Sequence, residues 1–243
     1  METMNNPRIA LRDTIPIGLG YLAISFAFGI MSSGAGLSIW ETVLISMTNL
    51  TSAGQLAAVP IIAGGGSLIE LALTQLIINL RYSLMSISIS QKFDSKIKLR
   101  DRFLIAFTLT DEIYAVGIGH EAPLGKKYLF TALISPYIGW TLGTLLGAVA
   151  GQILPSVIVS ALGVAMYAMF VAIIIPAAKE EKPIALLILV AILLSCLFRY
   201  TPLLNLIPEG FVIIICAVSV SVIFALLFPI KDESVTAEEV PTK

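Results

Sequence analysis

Four stretches of this chain carry no charged side chain at all: Thr14–Trp40, Thr42–Ile69, Tyr128–Ala178 and Gly210–Ile230. Each reaches or exceeds the roughly 20 residues that a helix needs to cross a hydrocarbon core. The rest of the sequence agrees. Only 13% of the residues are charged and 57% are hydrophobic, whereas a soluble domain is about 25% charged and about 45–50% apolar. Such a chain cannot cover its surface with polar groups, which excludes a soluble enzyme, a nucleic-acid binder and a disordered scaffold. The runs are long and show no ten-residue alternation, so they are helices and not barrel strands.

Hydropathy marks about eight apolar segments, at 14–36, 38–63, 67–91, 103–119, 128–151, 153–177, 183–204 and 209–230. The expectation is an all-α, polytopic helical membrane protein in which one or two segments are broken or re-entrant. Residues 1–13 form a short cytoplasmic N-terminal segment, 14–230 one transmembrane domain, and 231–243 a disordered tail. The apolar stretch after Asp13 is too long for a signal-peptide core, so it is read as the first span. Cys196 and Cys216 lie inside apolar runs and read as small hydrophobes rather than a disulfide framework.

Sliding the halves by about 118 residues sets Pro16-Ile17-Gly18 against Pro136-Tyr137-Ile138-Gly139, Val59-Pro60 against Ile175-Pro176, and Arg81-Tyr82 against Arg199-Tyr200. This predicts two structural repeats, about 14–119 and 128–230, of inverted topology, with a binding site where they meet. Orientation supports a break early in the chain. The loop at 91–102 holds five basic residues and the N-terminus holds Arg8 and Arg12, so both read as cytoplasmic under the positive-inside rule. Three full crossings between them would put them on opposite sides. The second segment resolves the conflict if it does not cross, because its centre, Thr48-Asn49-Leu50-Thr51-Ser52-Ala53-Gly54-Gln55, is small and polar. Three true crossings per half would then remain.

Six charges fall within or at the edge of segments: Glu41, Glu70, Arg81, Asp111, Glu112 and Arg199. An ionisable group at membrane depth is costly unless paired or wet, and marks a functional hypothesis. Glu41 and Glu70 lie four residues into their segments and suit the headgroup level; Arg199 is near a segment end and can snorkel. Arg81 is central in its segment. Gln75 and Asn79 share one helix face while Arg81 is turned away by roughly 200°. The adjacent acids Asp111 and Glu112 point about 100° apart, so one can pair with arginine while the other faces a cavity. Two readings stand: an ion pair locking two helices, or a carboxylate that binds a proton or an ammonium group.

The stretch Thr51-Ser52-Ala53-Gly54-Gln55 reads either as close helix packing or as a half-helix N-terminus offering amide groups to a carboxylate. Gly64-Gly65-Gly66-Ser67 lacks the lysine of a phosphate loop, and the lone His120 beside Glu121 has no second ligand nearby. No metal or cofactor is expected.

The order of motifs resembles the AzlC family, large subunits of bacterial branched-chain amino acid exporters. The resemblance rests on Pro16 with Gly18, Gly20 and Gly29, on Gly54-Gln55, on Asn79-Leu80-Arg81-Tyr82, on the basic loop, and on Thr110-Asp111-Glu112. It implies an inner-membrane exporter of valine, leucine, isoleucine and related residues such as methionine or azaleucine, acting with a small hydrophobic AzlD-like subunit. It keeps Gly54, Gln55, Asn79, Arg81, Asp111 and Glu112 as site residues. On that reading Thr51, Ser52, Gly54, Gln55, Asn79 and Arg81 bind substrate, with Arg81 and the break at the carboxylate. Asp111 or Glu112 takes the ammonium group or a coupling proton. The alternative is a passive channel in which two re-entrant segments meet at mid-membrane. An intramembrane enzyme finds no partner aspartate for Asp111.

Overall fold

A computed structural model describes residues 3–155, 157–159, 161, 168, 171, 174–176 and 178–229. The segment at 153–177 and the tail at 231–243 therefore lie largely or wholly outside the described residues. Two units are distinguished, Met1–Val171 and Ala172–Lys243. Among the described residues five helices are long and apolar enough to cross a membrane, and no strand is present. The expected helical membrane fold is what the structure has.

In the first unit, α1 (Pro7–Gly34) starts at the Asn6 cap with Pro7 in its first turn. Proline suits that position because its missing N–H would have no helical partner there. A cap at Ser38 opens α2 (Ile39–Thr48), where Glu41 completes a capping box. Helix α3 (Ser52–Ala63) follows after three residues. Gly65 then turns the chain with φ +68, and Ser67 caps α4 (Leu68–Ser90) through the Glu70 amide. Next come α5 (Leu99–Phe107) and α6 (Asp111–Gly119), again separated by three residues. Helix α7 (Lys126–Ile153) follows.

Helices α2 and α3 form a hairpin. Thr42 bonds Ser32 near the C-terminal end of α1 at 2.9 Å. Leu50, in the break, packs lower down beside Tyr21 and Trp140. Val59 is back up beside Phe28 and Leu37. Gln55 reaches across the hairpin to Ser46 at 2.9 Å, a pairing impossible on one straight helix, where nine residues span about 14 Å. The second segment does turn back at its small polar centre.

The fourth segment, expected to cross, also turns back. Asp101 at the start of α5 pairs with Lys126 at 2.8 Å. Thr110, in the break, meets Tyr21 at 2.6 Å. A Cβ on Gly117 of α6 would again touch Ile89 and Leu124, and His120 bonds Asp13 at 3.1 Å. The unit thus has two through-going helices before α7, not three, and hairpins that enter from opposite ends. Hairpin plus long helix at 39–90 is followed by the same arrangement in the opposite sense at 99–153. The N-terminus and the basic loop lie at one end: Met4 and Phe93 both bridge to Leu124.

Helices α1 and α7, assigned to different repeats by the 118-residue correspondence, run parallel and share the tightest interface. Gly139, Gly143, Gly147 and Gly151 on α7 abut the backbone or small side chains of α1. A Cβ on Gly139 would lie 2.8 Å from the carbonyl carbon of Gly18. Small residues at four-residue spacing permit this approach.

In the second unit, α8 (Lys182–Tyr200) and α9 (Glu209–Leu227) pack together through a 3-10 turn at Leu204–Leu206. Cys196 and Cys216 are unpaired.

Candidate functional site

The two breaks have the same local cause. Asn49 and Thr51 are extended, with ψ 91 and 118, and Thr110 is extended with ψ 171. Threonine is a poor helix former whose hydroxyl competes for backbone groups. The Thr51 hydroxyl accepts from the Gly54 amide at 3.3 Å, and the Thr110 hydroxyl accepts from the Ile113 amide at 3.4 Å. Each break therefore ends in a capped N-terminus, that of α3 and that of α6, and both face the middle of α1.

Around the first break lies a neutral polar cluster. The Gln55 amide donates to the Ser46 hydroxyl at 2.9 Å and to the Asn49 carbonyl at 2.8 Å. Ser46 in turn meets the Thr144 hydroxyl of α7 at 2.6 Å. From α4, the Gln75 amide donates to the Gly54 carbonyl at 2.8 Å. Its carbonyl accepts from Asn49 at 3.0 Å and from Asn79 at 3.1 Å, as their shared face predicts. Gly54 is necessary here: a Cβ would lie 2.6 Å from Gln75 Oε1. The carbonyl oxygens of Gln55 and Asn79 are buried with no partner among the described residues. Such acceptors are costly when left unsatisfied. Ser52 is the first residue of α3.

Around the second break the chemistry is ionic. Arg81 pairs with Asp111 at 2.9 Å, each about half exposed. Arg81 also lies over the Tyr82 ring, 5.0 Å from its centroid, and donates to its hydroxyl at 3.2 Å. Glu112 accepts a hydrogen bond from the Tyr21 hydroxyl. The adjacent acids thus take different partners, as the 100° offset implies. Tyr21 stands edge-on to Trp140 at 5.1 Å and touches Leu50, so one side chain bridges both breaks.

The secondary candidates lie elsewhere. Glu41 is exposed and bonds Ser38 at the end of α2. Glu70 is buried at 5% exposure in the first turn of α4. Arg199 pairs with Glu209 at 3.5 Å within the second unit. Among the described residues there is no group of acids, histidines and cysteines able to hold a metal. His120 instead bonds Asp13 and Tyr128, the latter at 2.8 Å.

Sequence reasoning missed Tyr21, Trp140 and the second break. The signal for the break was present: Asn49-Leu50-Thr51 recurs as Thr108-Leu109-Thr110.

A family described as AzlC protein matches residues 16–154, the stretch that holds both hairpins. An uncharacterized membrane protein of Archaeoglobus fulgidus is 31% identical over 71% of this chain and 76% of its own length. The inner membrane protein YgaZ of Escherichia coli is 27% identical, covering 70% of this chain and 73% of the relative. The branched-chain amino acid transport protein AzlC of Bacillus subtilis is 22% identical over 72% of this chain and 69% of its own. No solved structure matches.

Proposed function

The chain belongs to the AzlC family, and from that premise we propose that it is a secondary transporter exporting branched-chain amino acids in exchange for protons. The observation that carries this reading is the meeting of a neutral helix N-terminus and an acidic one beside a single tyrosine. A zwitterion needs both kinds of end. Its carboxylate suits the positive N-terminal end of α3 at Thr51, Ser52 and Gly54, with Arg81 as counter-ion. Its ammonium group suits Asp111 or Glu112, and the same carboxylates can take a proton once it leaves. The side chain would rest on aliphatic neighbours, where one methylene is worth about 1–3 kcal/mol, so valine, leucine, isoleucine and methionine should overlap as substrates.

The relative whose name includes branched-chain amino acid transport supports the substrate class. An AzlD-like small subunit is part of the proposal. Helix α4 leaves Leu73, Leu76, Leu80 and Leu84 exposed, a face able to receive it. By the positive-inside rule the end bearing the N-terminus and the 91–102 loop is cytoplasmic. The longer duplication, 14–119 against 128–230, stays in this reading without its inverted sense, because the two helices it makes equivalent, α1 and α7, run parallel, and no enzymatic activity is invoked.

Radiolabelled valine export from proteoliposomes, with and without the small subunit, tests the proposal. Asp111→Asn should abolish net export; unchanged export with unchanged pH dependence would remove Asp111 from the coupling role. The two opposed hairpins also favour a second reading, a passive channel. Counterflow separates the two, because only a carrier accelerates labelled uptake when unlabelled valine is trapped inside.

A further inference from the structure

A cavity lies between the C-terminal half of α4 and helix α5 and reaches the second break at Leu109. Its volume is about 340 Å³, and Ile87, Phe93, Phe103, Ala106 and Leu109 line it, with Arg102 at its mouth. The polar groups nearby are spoken for. Ser90 donates to the Ile87 carbonyl at 2.7 Å, Lys92 donates to the carbonyls of Ile118 and His120, and buried Asp101 pairs with Lys126 at 2.8 Å. Asp94 accepts from the Lys96 amide at 3.0 Å within its own loop. Arg102 differs: its guanidinium lies over the Phe93 ring, 5.5 Å from the centroid, and among the described residues no carboxylate pairs with it. The groove is therefore apolar along its length and cationic at one end.

Its placement matches one leaflet. Arg102 sits beside the basic loop at the end shared with the N-terminus, and Leu109 lies in the second break. The two are seven positions apart, about 10 Å at helical rise, against about 15 Å for half of a hydrocarbon core. The lips, Ile87 and Phe103, are 62% and 69% exposed, so the groove opens at the surface between two apolar side chains.

We propose that this groove binds an anionic phospholipid, with an acyl chain between α4 and α5 and the phosphate on Arg102. Arg100, 3.9 Å from Asp101 and with a side chain 75% exposed, lies at the same end. The tail reaches Leu109, so an occupied groove braces the second hairpin against α4.

Native mass spectrometry of the full chain in detergent, with phosphatidylglycerol and phosphatidylcholine of identical chains, tests the assignment. Wild type should retain phosphatidylglycerol about fivefold better, the scale for one cation facing an anionic headgroup. Arg102→Gln should erase that preference and Arg102→Lys keep most of it. Ala106→Phe, which fills the groove, should lower retention of both lipids. In the same samples, phosphatidylglycerol should slow amide exchange across 99–109 in wild type and not in Arg102→Gln. Equal retention of the two lipids by wild type, or an undiminished preference in Arg102→Gln, would overturn the proposal. So would an Ala106→Phe chain that keeps its lipids and instead loses self-association or a co-purifying subunit.

Discussion

The α1–α7 seam allows one chemical change to be tested with opposite expected signs. Gly139→Ala places a methyl 2.8 Å from the Gly18 carbonyl carbon, where carbon atoms normally rest about 3.5–4.0 Å apart. The obstacle is backbone and cannot rotate away, so the helices must part by roughly 1 Å. Overpacking costs about 1–3 kcal/mol, and a backbone clash belongs at the upper end. Gly20→Ala, in α1 with nothing within 4 Å of the added carbon, should instead gain about 0.5–1 kcal/mol from helix propensity. Subtracting that same gain leaves Gly139→Ala destabilised by about 2 kcal/mol. Unfolding in a denaturing detergent can be followed by tryptophan fluorescence, because Trp140 is buried on Tyr21 while Trp40 is 68% exposed. If both variants shift the midpoint in the same direction, the helices are not held at contact distance and the seam argument is wrong.

Tyr21→Phe removes the hydroxyl that reaches Thr110 and Glu112. The loss should destabilise by about 1–3 kcal/mol and shift the pH profile of export; an unaltered profile would show that Glu112 does not depend on Tyr21. Gly54→Ala drives a methyl into Gln75 and Thr51, and should lower valine transport at least tenfold while the chain still reaches the membrane. The carboxyl of Asp101 is held below the usual aspartate range, chiefly by its hydrogen bond from Lys126. Its folded pKa lies below its unfolded one, so its stabilisation is full above about pH 4 and fades as acid protonates it. Melting curves against pH should therefore show a weaker acid-limb slope in Asp101→Asn.

Charge placement made much of this molecule readable in advance. The empty runs gave the helices, and the two basic regions forced one early segment to turn back, which it does at Asn49-Leu50-Thr51. Arg81 and Asp111 were legible because a charge at membrane depth needs a partner, and each has the other. The second hairpin was not legible from hydropathy. A 17-residue apolar segment is consistent with a crossing, and only a polar residue-leucine-threonine triplet distinguishes it. Tyr21 and Trp140 were missed for a different reason: an aromatic residue in an apolar run carries no sign of which partner lies across the bundle. The glycine spacing at 139, 143, 147 and 151 did carry a packing signal, since repeated small residues at that interval let two backbones touch.

The hairpin tips also impose an order on biosynthesis. The first tip closes onto residues made much later: Ser46 waits for Thr144, the Met47 carbonyl for Tyr137, and Leu50 for Trp140. A nascent chain ending at Gly119 holds a polar tip whose far wall has not been synthesised, and lipid cannot substitute for it. The first hairpin must therefore remain near the interface, or in a shelter at the insertion machinery, until α7 emerges. Translation order and folding order part company at that point, and α7 is the element whose arrival lets the earlier half settle.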